Sequence, residues 1–275
     1  MRQIAIIAAK EARDGLRNRW VIATTTLLAA LALTLAFLGA APTGNVKVSA
    51  LQVTIVSLSS LSIFLVPLIA LLLSYDAIVG EAERGTLPLL LVYPVRRWQI
   101  IIGKFLGHLG ILALATFVGY GVAGLALVLV AGGDTDALAA FALMVASSAM
   151  LGGVFIAIGY FVSALVRDRG AAGGIAIGVW LLFVLLYDMA LLGVLVADQG
   201  RTITADAVNV LLLLNPADVY RVLNLTASQS VSGYAGVAGL GVRAGLSPEL
   251  LIGALVLWIF APLGAAVAAF ARRPV

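Results

Sequence analysis

The chain has 275 residues, 63% of them hydrophobic and 11% charged, with a net charge of +4, and its mean hydropathy is +1.13. A water-soluble domain carries about 25% charged residues, so most of this surface must face lipid. Cysteine is absent and histidine occurs once, at His108, which excludes disulfides, thiolate chemistry and multi-histidine metal sites.

The first nineteen residues are amphipathic. Ile4, Ile7, Ala8, Leu16 and Trp20 are placed on one helical face, and Lys10, Arg13 and Arg17 favour the other. Residues 1–19 are therefore expected to form an interfacial helix at the membrane surface. An apolar run of about 20 residues crosses the hydrocarbon core, and six follow, at 20–41, 51–74, 99–131, 137–166, 171–197 and 249–271. The first is too long for a signal peptide's apolar region of about 7–15 residues. The third and fourth exceed a straight crossing and must tilt, bend or continue into water. Pro67 and Pro262 fall inside spans, where neighbouring helices satisfy the freed carbonyls. The expected fold is all-α: a polytopic membrane protein with six transmembrane helices in a single transmembrane domain over 1–275.

Thirteen of the seventeen Lys and Arg fall on one side of this arrangement, in the 1–19 segment, the 75–98 loop and the start of the third span, the turn at 167–169, and Arg272-Arg273. The other side has only Lys47, Arg201, Arg221 and Arg243. The positive-inside rule then puts both termini in the cytoplasm.

The loop at 75–98 starts with acids that include Glu81 and Glu83, breaks at Gly85-Thr86, and continues as Leu87-Pro88-Leu89-Leu90-Leu91-Val92. Tyr93-Pro94 and the pair Arg96-Arg97 close it. A short apolar helix presented to water calls for a partner, and the expected use is docking into a groove of a cytoplasmic protein. Further along, Ser148 with Gly152, Ala149 with Gly153, and Gly170, Gly174 and Gly178 recur every fourth position. Such stripes let helix backbones approach in lipid, within one protomer or across a dimer.

The segment 198–248 is the largest piece on the far side. Its apolar stretches 207–214 and 217–225 are split by Asn215-Pro216 and are too short to cross, so each is re-entrant or interfacial. Asn215, Pro216, Asp218, Tyr220 and Arg221 are candidates for that role or for an external partner. Residues 228–245, rich in Gly, Ser, Ala and Val, are expected to form a flexible external loop.

Recognisable catalytic chemistry is missing. There is no phosphate-binding loop, since Gly103-Lys104 is followed by Phe105, and neither H-E-x-x-H nor G-x-S-x-G occurs. Asp188 is the one acid clearly inside a span and is expected to face protein or water. Tyr187-Asp188 resembles half of an intramembrane aspartyl protease site, but the G-x-G-D half is absent, because Ala131-Gly132-Gly133-Asp134 begins with alanine. Met144, Met150 and Met189 are expected to be packing residues rather than metal ligands. The reading is of a non-enzyme with a lipid bilayer around it and no nucleic-acid partner.

The run Glu81-x-Glu83-x-Gly85-Thr86, then Leu89-Leu90, Pro94, Arg96 and Ile102-Gly103-Lys104, resembles the permease subunits of type-2 ABC transporters, and the likeness extends over the whole chain. The resemblance implies that residues 1–19 are a connecting helix and that 75–98 carries a coupling helix docking on an ATPase subunit. Its coupling residues are Glu81, Glu83, Arg84, Gly85, Thr86, Leu87, Pro88, Leu89, Leu90, Tyr93, Arg96 and Arg97, with a second contact at Arg167, Asp168 and Arg169. It implies no cofactor in this chain, ATP and Mg on the ATPase subunit, a second copy of the permease, and a periplasmic copper-related partner. Within the family the chain is similar to permeases serving copper-centre assembly in nitrous oxide reductase. A stand-alone secondary transporter is the competing expectation, and it would need a polar ion site at midplane and often an inverted repeat.

Overall fold

The structure, a computed structural model, describes residues 2–17, 19–38, 50–92, 95–131, 135–198, 203–227 and 245–273, and every regular element among them is helical. Helix α1 (Arg2–Leu16) meets α2 (Arg19–Leu38) at 68°. Helix α3 (Ala50–Ser74) leads into two short helices, α4 (Val79–Glu83) and α5 (Leu87–Leu91). Two long helices follow, α6 (Arg97–Ala131) and α7 (Thr135–Leu165). Helix α8 (Arg169–Leu181) passes through a π-helical turn at Leu182–Leu186 into α9 (Tyr187–Asp198). The chain ends with α10 (Ala205–Leu213), α11 (Pro216–Ala227) and α12 (Pro248–Arg272). Five described stretches are long and apolar enough to cross a bilayer, and a sixth joins them when the bent α1–α2 pair counts as one span. The protein is thus a polytopic helical membrane protein.

Helix α7 is the centre of the bundle. Residues 151–160 are all buried, as a helix apolar on every side requires, and α3, α6 and α12 pack around it. Gly152 faces Leu112 and Val66, while Gly153 faces Ile259 and Leu109. A smaller core at the opposite end joins Leu28, Leu58, Tyr120 and Met144. Along the α8–α9 span only Ala172, Ala176, Val184 and Leu191 are buried. Gly174 and Gly178 have open space beside them, on the far side of α8 from Ala172 and Ala176. That stripe meets no other helix among the described residues.

Helix α1 lies against the first turns of α6 rather than on lipid alone. Residues Ile4, Ile7 and Ala8 face it, with Glu11 one turn further on the same face. Leu16 does not join them: it falls about a third of a turn from Ile4 and is exposed. The Trp20 side chain lies outside the described residues. Close approach depends on two glycines of α6. A Cβ at Gly103 would stand 2.8 Å from Ile7 Cβ, and one at Gly107 would stand 2.6 Å from Glu11 Cβ and 3.0 Å from the Ala8 carbonyl. Gly107→Val should therefore push α1 off α6. The expected cost is about 1–3 kcal/mol, read as a lower melting temperature in detergent and faster proteolysis at residues 2–17. A melting curve and digestion rate equal to the parent's would refute this packing.

Candidate functional site

The bundle end that carries Arg97, Arg167, Arg169, Arg272 and Arg273 is built around the α4–α5 loop. Helix α4 starts where the Ile78 and Val79 amides donate to Ser163 Oγ of α7, at 3.0 and 3.1 Å. It stops in a turn in which the Thr86 amide reaches the Glu81 carbonyl and the Gly85 amide reaches Ala82. Such a stop needs a left-handed residue, supplied by Gly85 at φ +67. The Thr86 hydroxyl also donates to the Glu81 carbonyl. Helix α5 then anchors through Leu87, buried at 2% exposure, and leaves Leu89 at 66% and Val92 at 82% exposed. Arg84, Pro88 and Arg96 are exposed as well. The Leu90 side chain and Tyr93 lie outside the described residues.

The turn after α7 belongs to the same assembly. Asp168 caps α8 by accepting from the Ala171 amide at 2.6 Å. The Arg169 amide donates to Glu83 Oε1 at 2.8 Å, and its guanidinium pairs with Asp76 at 2.9 Å over the Tyr75 ring. Two segments that the sequence places more than 80 residues apart thus form one surface. Arg97 turns inward: its Nη1 donates to the carbonyls of Phe270, Ala271 and Arg273 at 3.0, 3.2 and 2.7 Å. A cation there satisfies the free carbonyls at the end of α12.

Glu81 also turns inward, to a cation inside the protein. Lys104 Nζ is 2.7 Å from Glu81 Oε1 and 2.9 Å from Glu11 Oε1, and the three side chains are 5%, 14% and 13% exposed. One ammonium on α6 therefore ties α1 to α4. Burial pushes the Glu11 carboxyl up, but its neighbours, Lys104 foremost and Lys10 at 3.6 Å among them, together outweigh that and hold it below the usual carboxylate range. His108 extends the cluster, with Nε2 3.7 Å from Glu11 Oε2 and Nδ1 2.9 Å from the Tyr160 hydroxyl. The sequence singled out Glu81 but missed Glu11. The available signal was Lys104, a cation about one and a half turns into an apolar run, which needs a partner there.

At the opposite end the broken pair α10–α11 is inserted among the spans. Residues 215–220 are buried without exception. Asn215 caps α11, accepting from the Ala217 amide at 3.0 Å, and its Nδ2 donates to the Phe183 carbonyl in the π-helical turn and to Asp218, both at 2.9 Å. Pro216 opens α11, a position where its missing N–H costs nothing. Arg221 bridges Asp218 at 2.8 Å and Asp188 at 2.7 Å. Asp188 thus faces protein, as expected of an acid in a span.

Further polar side chains fasten both members of the pair, α11 through Tyr220 and Asn224 and α10 through Tyr187 and Trp258. The Tyr220 hydroxyl meets Ser148 Oγ at 2.8 Å, and Asn224 Nδ2 donates to Ser147 Oγ at 3.0 Å. The Tyr187 hydroxyl donates to the Leu211 carbonyl at 2.7 Å and Trp258 Nε1 to Leu213 at 3.1 Å. Ser147 and Asn224 were not flagged by sequence, because single polar residues in apolar helices carry no spacing that identifies them. Residues 228–244, most of the expected external loop, lie outside the described residues.

Among the described residues no group of three or more His, Asp or Glu is arranged to hold a metal. Met144 is buried, Met150 packs on the main core, and Met189 is 70% exposed.

Residues 5–275 match the family described as ABC-2 family transporter protein. The chain is 46% identical over 275 residues to a probable ABC transporter permease protein NosY of Stutzerimonas stutzeri, covering 99% of both. It is 47% identical over 271 residues to the protein of the same description from Pseudomonas aeruginosa, covering 98% of both.

Proposed function

The chain belongs to the ABC-2 family of transporter proteins and is a NosY-like permease; from this premise we propose that it couples ATP hydrolysis on a separate subunit to work across the membrane. That subunit is a NosF-like cytoplasmic ATPase carrying ATP and Mg, and the permease has no cofactor of its own. The work is transport, or conformational change of a NosD-like periplasmic copper-related partner, in copper-centre assembly of nitrous oxide reductase. The protein sits in a bacterial inner membrane with both termini cytoplasmic. It acts as a dimer, with the open Gly174–Gly178 stripe of α8 as the face that meets the second copy.

The exposed apolar surface of α5 carries this reading. Leu89 and Val92 face solvent beside the joined Glu83–Arg169 surface, and an apolar patch of this kind fits a groove on a partner. A push there passes from α4 to α6 and α1 through Lys104, and to α7 through Ser163. Helix α7 holds α11 through Ser147 and Ser148, so movement at one end reaches the other along packed elements. Coupling of this kind requires two states at both sites.

Leu89→Asp should leave insertion intact, since Leu89 touches no core, and should weaken ATPase-subunit capture about tenfold or more, as loss of an interface anchor does. Capture at parental affinity would remove α5 from the interface. For the dimer, Gly174→Leu with Gly178→Leu should shift the detergent-solubilised protein toward monomer in multi-angle scattering while its melting temperature holds. An unchanged mass would place the dimer face elsewhere.

A further inference from the structure

We propose that the basic end holds a binding site for the headgroup of an anionic phospholipid, with one acyl chain lying in the apolar groove above it. A cavity of about 700 Å³ opens between the coupling loop, the end of α7 and the end of α12. Leu87 and Pro88 form one wall, and Ala268 and Ala269 the opposite one, where small side chains leave the space. Among the described residues Arg167, Arg272 and Arg273 line it, and no acid does. None of the three is ion-paired with a carboxylate among the described residues. Arg273 already gives one nitrogen to the Ser163 carbonyl at 3.0 Å. Its partial burial, with Arg167 nearby, draws its pKa below the usual guanidinium range, as a cation lacking its anion should show.

The shape selects lipid over a free anion. Leu165 and Ala265 line this cavity and also a second, larger groove of about 1140 Å³. That groove runs over α7 between α8, α10 and α12, walled by Phe161, Val179, Leu213 and Leu257. Among the described residues its one charged lining residue is Glu249, at the start of α12 and so at the far end. Three cations at the membrane surface opening into a long apolar furrow match a phosphodiester joined to a hydrocarbon chain, and basic pockets between spans on the cytoplasmic side bind such headgroups.

The test is native mass spectrometry of the full chain in mild detergent, titrated with phosphatidylglycerol or phosphatidylcholine of identical acyl chains. The expected result is a phosphatidylglycerol adduct at about tenfold lower lipid concentration, unaffected by millimolar glycerol phosphate. Arg167→Gln with Arg272→Gln should abolish that preference; both residues are exposed, so the parent's melting temperature in detergent should persist. Equal binding of the two lipids, displacement by glycerol phosphate, or an undiminished preference in the double variant would each overturn the proposal. If the double variant kept its lipid preference but lost the ATPase subunit, the pocket would be a protein dock and the lipid assignment would fall.

Discussion

Lys104→Met should be the most damaging single substitution at the basic end. It removes the one cation between Glu11 and Glu81 and leaves both carboxylates mostly buried without it. Breaking a buried pair from one side costs about 3–5 kcal/mol. Methionine fills nearly the same space as the lysine stem, so the loss is one of charge rather than packing. The expected readout is a sharp fall in melting temperature in detergent, with any folded protein binding the ATPase subunit but failing to support the proposed maturation of the reductase. Helix α4 would then move without carrying α1 and α6. Adding Glu11→Gln and Glu81→Gln to the methionine variant should recover most of the stability, because no charge is left unpaired. Recovery of stability without recovery of maturation would separate the clamp's mechanical role from its structural one. A methionine variant with parental stability would mean that these carboxylates do not depend on Lys104.

Arg221→Met should have the second largest effect, at the other end. Asp218 is 1% exposed and Asp188 is 31% exposed at the side chain, and Arg221 is the cation that both share. Asn215 continues to donate to Asp218, which offsets only part of the lost charge. The expected result is undocking of α11, at a cost of about 3–5 kcal/mol. The chain has no cysteine, which makes the measurement clean. Ala217→Cys, at a position 1% exposed, should resist a water-soluble maleimide in the parent and react with it in the Arg221→Met background. Asp188→Asn should show much less labelling, since the Arg221–Asp218 bridge remains. Equal protection in all three backgrounds would contradict the role assigned to Arg221.

The parts of this architecture visible in the sequence are those written in contiguous residues. Long apolar runs mark spans wherever they occur, and Asn215-Pro216 marks a helix break because proline cannot continue a helix that needs its N–H. What sequence could not supply is which faces meet. Amphipathicity of the first segment indicates that an apolar face exists, but not that Gly103 and Gly107 open a track for it on α6. Leu16 is expected on that face, but its angular position puts it outside. Glu11 and Lys104 are 93 positions apart, and no local pattern pairs them. Arg97 and Glu81, both in the coupling set, point into the protein, whereas Leu89 points out. A charged loop in sequence does not reveal which charges cap helices and which face a partner.

In the proposed coupling, force enters through α4–α5 from a separate ATPase. The direct measurement is gentle purification of the tagged chain from its native membrane, with quantification of what accompanies it. The expected result is an ATPase subunit in a one-to-one ratio with the permease, lost in Leu89→Asp and retained in Arg221→Met. A chain that emerges alone from several mild detergents would contradict the account and make a stand-alone secondary transporter the better reading.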